Sequence, residues 1–401
     1  MSLNNTPSAD RLHIAFFGKR NAGKSSVVNA VTGQELSIVS DTLGTTTDPV
    51  SKAMELLPLG PVVIIDTPGI DDDGDLGKLR VKRSYQVLNK TDIAILIIAA
   101  DIGISEEDTA LIQKFKVKNI PYIIVFNKSD ISDERPEVNN SIFVSAKTME
   151  NINELKEMIA QLSKGRENNK TIVSHLLNKE DVAVLVVPID ESAPKGRLIL
   201  PQQQTIRDLL DHHCMTVVTQ PEELTKTINS LSVKPAVVIT DSQAFAKVSN
   251  DTPDDILLTS FSILFANYKG NLKLAVEGVK ALDKLQSGDR ILISEGCTHH
   301  RQCGDIGTVK LPGLIQKYTG INDLCFEWTS GTGFAESLSE YKMIIHCGGC
   351  MLSEREMQYR LKCAQDEGIP ITNYGTAIAY MNGILSRSLS IFPEIADILK
   401  N

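Results

Sequence analysis

Two short knots of soft ligands, Cys297-Thr-His299 and His346-Cys347-Gly-Gly-Cys350, lie in the C-terminal part of the chain with 46 residues between the two histidines that face each other across the gap. Three thiols and two imidazoles suit a thiophilic metal. Zinc would close four tetrahedral ligands, whereas a [4Fe-4S] cluster on three cysteines would leave one iron open or weakly held. The spacing alone leaves both open. Gly348 and Gly349 allow a tight turn whose amides can point at sulfur. At the other end, Gly18-Lys-Arg-Asn21-Ala22-Gly23-Lys24-Ser25-Ser26 fits a phosphate-binding loop between an apolar run and a helical one. Its glycines let backbone N–H groups approach phosphates at a helix N-terminus, Lys24 is placed to neutralise the β- and γ-phosphates, and Ser25 to hold Mg2+.

Three further segments each follow an apolar run: Asp66-Thr-Pro-Gly69, Asn127-Lys128-Ser-Asp130 and Ser145-Ala146-Lys147. Together with the phosphate loop they resemble the G-domain motifs of translation-factor-class GTPases. The resemblance implies that Asp66 reaches Mg2+ through water and that the Gly69 amide senses the γ-phosphate. It also implies that Asp130 accepts from the guanine N1–H and exocyclic amine, which selects GTP over ATP. Asn127 would brace the base loop, and the Ala146 amide would meet the guanine carbonyl. The run Gly44-Thr45-Thr46-Thr47-Asp48 resembles the switch of the TrmE-Era-like group, with Thr46, or alternatively Thr45, completing the Mg2+ shell. Asn21 stands where members of that group have an asparagine that helps bind K+. After Gly69 comes Ile70, where Ras-like enzymes place a water-orienting glutamine, so unaided hydrolysis is expected to be slow.

Other candidates have plainer readings. The run Asp71-Asp-Asp-Gly-Asp75 lacks the distal glutamate of a calcium loop and reads as a solvated switch. His212-His213 ends a helical segment, and Cys214, Cys325 and Cys363 read as small core hydrophobes. Cys303 could reach the Cys297 pocket, and His300 could stand behind it.

These motifs need sheets to carry them. Strand-like runs alternate with helical ones, the pattern of α/β layers. A first unit, 1–168, has strands at 12–17, 62–66, 93–99, 122–127 and 142–145, then a helix at 152–162 and a polar linker at 163–170. A second, 171–259, has strands at 182–187, 216–219, 236–240 and 256–258, with helices near 205–212, 222–231 and 243–248. A third, 260–401, has strands at 290–294, 323–328, 341–345 and 369–373 and helices at 352–367 and 376–386. Both cysteine knots follow a strand, where ligands gather in open α/β sheets. A chain of 401 residues exceeds the roughly 250–300 at which one core stops growing, so several domains are expected.

A net charge of −9 speaks against a generalist nucleic-acid binder. The first twenty residues lack the charged, apolar and small-residue regions of a secretory signal, and no apolar run approaches the ~20 residues of a membrane span. Seven cysteines, an odd number, fit a reducing compartment and a metal site better than a disulfide framework, so a cytoplasmic protein is expected.

The pattern C-x-H, 46 residues, then H-C-x-x-C, downstream of a TrmE-Era-like G domain, resembles the [FeFe]-hydrogenase maturation GTPases of the HydF family over the whole chain. The segment 193–202 and the following Thr-Ile-Arg-Asp-Leu-Leu-Asp resemble that family's middle domain, and Ile371-Thr-Asn-Tyr-Gly375 its C-terminal domain. The resemblance implies a scaffold. A [4Fe-4S] cluster on Cys297, Cys347 and Cys350, with His299 and His346 ligating weakly or tuning, would carry a diiron precursor with CO and cyanide ligands. Two radical-SAM maturases would make that precursor, and apo-hydrogenase would receive it. The middle domain would form a homodimer. Some relatives have an acidic residue just before the Asp-Ile-Gly triplet; here Gly304 precedes Asp305-Ile-Gly307, which leaves the fourth ligand open between Asp305, Cys303, a histidine and solvent. A GTPase acting on tRNA or ribosomes with a structural metal domain is the alternative of a different class. A radical-SAM enzyme is disfavoured because C-x3-C-x2-C does not occur.

Overall fold

The computed structural model describes residues 10–35, 50–69, 86–132, 135–164, 170–189, 198–296, 306–331, 334 and 337–399. The chain divides into two compact units, Met1–Asn168 and Asn169–Asn401.

The first unit is a six-stranded sheet in the order β2-β3-β1-β4-β5-β6. Its strands are β1 Leu12–Gly18, β2 Val50–Leu56, β3 Gly60–Asp66, β4 Ile93–Ala99, β5 Tyr122–Asn127 and β6 Ser141–Phe143. All pairs are parallel except β2 with β3. The central strand β4 reads Ile-Ala-Ile-Leu-Ile-Ile-Ala and every residue of it is buried, as a strand covered on both faces requires. Helices α1 Lys24–Thr32 and α3 Ile152–Lys164 belong to one face, and α2 Glu106–Val117 to the other. Ser105 caps α2 in a reciprocal capping box with Asp108. The edge strand β2 was not among the expected strands. Its sequence, Val-Ser-Lys-Ala-Met-Glu-Leu, is exposed over most of its length and gives only weak alternation.

The second unit holds two four-stranded parallel sheets. One has the order β10-β9-β7-β8, from β7 Val182–Val186, β8 Met215–Thr219, β9 Val237–Thr240 and β10 Leu257–Ser260. The other has the order β12-β11-β13-β14, from β11 Arg290–Glu295, β12 Cys325–Ser330, β13 Met343–His346 and β14 Ile371–Asn373. A single core runs from Val184 and Ile239 of the first sheet through Phe261, Leu264 and Val276 to Ile291 and Ile345 of the second. The α-helices of more than four residues are α4 Leu200–Asp211, α5 Leu224–Ser230, α6 Phe245–Asp251, α7 Phe261–Tyr268, α8 Leu272–Val279, α9 Leu311–Thr319, α10 Glu354–Asp366 and α11 Tyr374–Met381. The sequence reading had not placed α7, α8 or α9; α7 is apolar almost throughout, so it shows no helical period. Cys214 is buried as expected, and Cys363 packs beside Leu361. Cys325 is not a core residue: it opens the edge strand β12 and is exposed.

Among the described residues no helix is long and apolar enough to cross a membrane.

Candidate functional site

The phosphate loop leaves β1 at Gly18, where a Cβ would stand 2.5 Å from the Ile97 carbonyl oxygen, so only glycine fits against β4. Asn21 (φ 64) and Gly23 (φ 81) are both left-handed, which turns the loop back onto the start of α1. A Cβ on Gly23 would lie 2.2 Å from Asn127 Nδ2. Lys24 and Ser25 are the first residues of α1, and Ser26 follows. Lys24 is ion-paired with Asp66 at the end of β3, both side chains being mostly buried. The loop lysine and the predicted Mg2+ carboxylate are thereby brought together, and Pro68 and Gly69 follow directly. Thr67 anchors this turn by donating to the Phe16 carbonyl at 2.8 Å.

The base-recognition motifs converge on the same edge. Asn127, buried at the end of β5, donates from Nδ2 to the Ala22 carbonyl at 3.1 Å and accepts at Oδ1 from the Ala146 amide at 3.1 Å. One side chain thus ties the phosphate loop to the Ser145-Ala146-Lys147 loop. The Ala146 amide, expected to meet guanine, is engaged by Asn127. Lys128 takes a left-handed conformation (φ 66) that turns the chain toward Asp130. Ser145 donates to Asp130 Oδ1 at 2.7 Å and accepts from the Thr148 amide at 3.1 Å. The Ser145 hydroxyl holds the Asp130 carboxyl below its usual 3.8, leaving it ionised and acceptor-only. Thr45, Thr46 and Ile70 lie outside the described residues.

In the second unit, β12 and β13 flank β11 on opposite sides, so the chain changes direction across the sheet between β11 and β13. Such a switch point opens a crevice at the carboxyl ends of the strands. Gly296 follows β11, and Cys347 follows β13. The Cys347 amide donates to the Ser294 carbonyl at 2.8 Å, carrying the strand pairing one residue past the register pair Ser294 and His346. Its sulfur accepts from the Gly296 amide at 3.0 Å and from the Gly349 amide at 3.4 Å. Two amide donors aimed at one sulfur favour a thiolate, the form that binds metal. Gly349 is left-handed (φ 63), and a Cβ there would meet Met357 Sδ at 2.5 Å. Ser353 caps α10 by accepting from the Glu356 amide, so a helix N-terminus follows Cys350 closely.

His346, expected to ligate weakly or to tune the site, lies at the end of β13. It is 1% exposed, and burial together with the Arg360 charge pushes its pKa down to about 3. The ring is therefore neutral. Arg360 Nη1 lies 3.1 Å from Nε2, so Nε2 accepts and Nδ1–H donates to the Cys347 carbonyl at 2.7 Å. Both ring nitrogens are used within the protein, and the imidazole holds the Cys347 backbone. Cys297, His299, His300, Cys303 and Asp305 lie outside the described residues. Among the described residues no group of three or more His, Cys, Asp or Glu side chains is arranged to hold a metal. The paired amides on Cys347 and the nearby Cys350 are what the described part offers, and they fit a thiolate-held cluster.

Sequence reasoning missed Arg360, Glu356 and Ser294. Arg360 has no exposed surface; it pairs with Glu356 and reaches Ser294 Oγ at 3.2 Å and the Gly331 carbonyl at 2.7 Å. The only trace in the sequence is Ser353-Glu-Arg-Glu356, the capping pattern that opens α10.

A phosphate loop on a parallel sheet, an aspartate at the end of the adjacent strand and an Asn-Lys-x-Asp corner define the first unit as a P-loop GTPase domain, and residues 13–128 match the sequence family of 50S ribosome-binding GTPases. Residues 172–270 match the hydrogen maturase F dimerization domain and residues 273–391 the hydrogen maturase F tetramerization domain. The chain belongs to the hydrogen maturase F family, HydF. Its GTPase part is also similar to the tRNA modification GTPase MnmE of Clostridioides difficile, 33% identical over 181 residues, which is 42% of this chain and 39% of that protein. It is 37% identical over 131 residues to GTPase Der of Kosmotoga olearia, 31% of this chain and 29% of the relative. The chain thus spans well under half the length of these curated relatives. Among solved structures, Era of Aquifex aeolicus bound to GDP.AlF4- aligns with 55% of this chain and 98% of its own, at 19% identity and a TM-score of 0.34.

Proposed function

We propose that this protein is a GTP-binding scaffold in [FeFe]-hydrogenase maturation. It would hold a [4Fe-4S] cluster and the diiron precursor of the hydrogenase active-site cluster, and deliver the latter to apo-hydrogenase. The observation that supports this best is the Cys347 thiol under two amide donors at the switch point of a sheet that lies within a hydrogen maturase F domain. Cys297, Cys347 and Cys350 would hold the cluster, with the fourth iron left to a weak ligand, and the cluster supplies an attachment point for the precursor. Radical-SAM maturases are the proposed source of that precursor.

In the first unit, Lys24 and the loop amides would take the phosphates, Ser25 and Thr46 the Mg2+, Asp66 a Mg2+-bound water, and Asp130 the guanine edge. Lys24 and Asp66 would exchange their mutual pairing for phosphate and metal. GTP hydrolysis would gate partner exchange, slowly, with K+ at Asn21; equal rates in Na+ and K+ would refute the potassium part. The domain division proposed is G domain 1–168, dimerisation domain 171–259 and cluster domain 260–401. The match of 273–391 to a tetramerization domain extends the assembly proposed beyond a dimer. The tRNA or ribosome reading gains no support from the second unit, whose matches are both to hydrogen maturase F.

The deciding experiment expresses the chain with and without the maturases and measures iron, sulfide and zinc anaerobically, infrared bands of metal-bound CO and cyanide, and activation of apo-hydrogenase. Bands and activation only after co-expression are expected. Stoichiometric zinc, or an intact cluster that never yields the bands, would overturn the scaffold.

A further inference from the structure

Behind the cysteine loop stands a buried cation that the proposed function does not use. Arg360 lies on the second turn of α10, the helix whose N-cap Ser353 stands three residues after Cys350, and it is 0% exposed. A guanidinium in that position must satisfy its donors inside the protein, and this one spends them on three different strands. Nη1 reaches Ser294 Oγ at 3.2 Å on β11 and His346 Nε2 at 3.1 Å on β13. Nη2 donates to the Gly331 carbonyl, just past β12, at 2.7 Å. Nε donates to Glu356 Oε1 at 3.0 Å, which supplies the counter-charge from one turn earlier in the same helix. The ring of Phe334 covers the guanidinium at 5.3 Å.

The three contacted strand ends are those that frame the switch-point crevice. Ser294 lies three residues before Cys297, and His346 is bonded to the backbone of Cys347. The rigid planar fork of arginine can span all three at once, whereas an ammonium on a flexible stem cannot hold the same directions. A buried charge also acts over several ångströms with little screening, so what it does to a neighbouring redox group does not need contact.

We infer that Arg360 is a positioning residue of the iron–sulfur site, fixing the Cys347 loop against the end of β11 and raising the cluster's reduction potential through its buried charge. This rests on the cluster reading given above. Glu356 opposes it in sign, pairing with Arg360 through Nε.

The test reconstitutes the full chain anaerobically with iron and sulfide, then measures iron and sulfide per chain and the midpoint potential by spectroscopic titration. Wild type is compared with Arg360→Met, Arg360→Lys and Glu356→Gln. Expected for Arg360→Met is a several-fold loss of iron and sulfide and a negative shift in the potential of the remainder. Arg360→Lys should lose iron but keep a potential closer to wild type, because the charge stays while the fork is lost. Glu356→Gln leaves the cation uncompensated and should shift the potential positive. A purely structural role would not move the two potentials in opposite directions. Wild-type iron content and potential in a folded Arg360→Met, or shifts of the same sign in Arg360→Met and Glu356→Gln, overturn the inference. Should circular dichroism show Arg360→Met unfolded, Glu356→Gln decides: a positive shift supports the inference, and no shift or a negative one overturns it. A wild-type chain that takes up no cluster removes the cluster reading and this inference with it; a loaded wild type with indifferent variants removes this inference alone.

Discussion

At the carboxyl ends of β1, β3 and β5 the nucleotide site is braced by its own motifs: Asn127 of one motif bonds Ala22 of a second and Ala146 of a third, and Ser145 bonds Asp130. At the ends of β11 and β13 the cysteine site is braced from outside its motif, by Arg360, Glu356 and Ser294, residues that carry no metal ligand. Both sites use the same sheet geometry. The difference lies in where the supporting groups stand in the sequence. A phosphate site is made mostly of backbone donors, whose directions short motifs fix locally. A thiolate site is made of side chains from separate loops, so its spacing depends on whatever packs behind them.

The comparison breaks most readily at Asp130. If this carboxylate reads guanine through two hydrogen bonds, Asp130→Asn should lose about 1.5–3 kcal/mol for each. GTP affinity should then fall roughly 10²- to 10⁴-fold. An amide in that place can donate to a carbonyl, so the same variant should gain affinity for xanthosine triphosphate, which carries a carbonyl where guanine has its amine. Calorimetric titration with both nucleotides checks this. Equal, modest losses for both would mean that the corner is structural.

Next in size is the brace itself. Asn127 is buried, and Asn127→Ala would strand the Ala22 carbonyl and the Ala146 amide at about 1–3 kcal/mol each. The first unit should melt at clearly lower temperature, and GTP affinity should drop with it. A variant that melts normally but binds GTP weakly would show that the brace organises the site without stabilising the fold.

On the cysteine side the corresponding weak point is Gly349. Gly349→Ala places a Cβ at a left-handed position and 2.5 Å from Met357 Sδ, a flexible side chain that can yield. The strain is on the order of 1–2 kcal/mol, and the hydrogen bond from the residue 349 amide to the Cys347 sulfur should lengthen. Iron retained after reconstitution should fall modestly. A loss as complete as that of Cys347→Ala would mean that the turn has no slack and that the proposed metal site is as locally determined as the phosphate loop.

These cases also show why one site was legible from the chain and the other only in outline. Gly18, Gly23, Lys24, Asp66, Asn127 and Asp130 each announce a backbone direction or a charge within a short motif, and the structure brings them to one sheet edge. The central strands were readable because both-sided burial leaves continuous apolar runs such as 93–99. Strand β2 was not, because an exposed antiparallel edge needs little hydrophobicity. Cys325 looked like core because its neighbours Leu324 and Phe326 are apolar, but β12 is an edge strand and turns it outward. His346 reads as a weak ligand or a tuning group from its place beside Cys347. The residue it contacts, Arg360, is fourteen residues away on a helix whose composition reads as surface. Charge alone marks Arg360 as surface, although its position shares the helix face of the buried Met357, Leu361 and Ala364.

The smallest expected effect, and the most specific, concerns how the Asp130 charge is held. The proposed guanine recognition by Asp130 needs the ionised carboxylate, and the Ser145 hydroxyl keeps its pKa below the usual 3.8. A depressed carboxyl pKa means that the charged form persists as pH falls and is lost only when the pH passes below the shifted value. The acid limb of GTP affinity should therefore lie lower than an ordinary aspartate would give. Ser145→Ala removes the donor and should move that limb upward in pH while leaving affinity near neutrality almost unchanged. Ser145→Thr, which keeps the hydroxyl, should restore it. The measurement is GTP affinity from pH 7 downward, at each pH where circular dichroism shows the fold intact. Superimposable limbs for wild type and Ser145→Ala would show that Ser145 serves only the loop, through the Thr148 amide, and that even in the self-braced site one brace is structural.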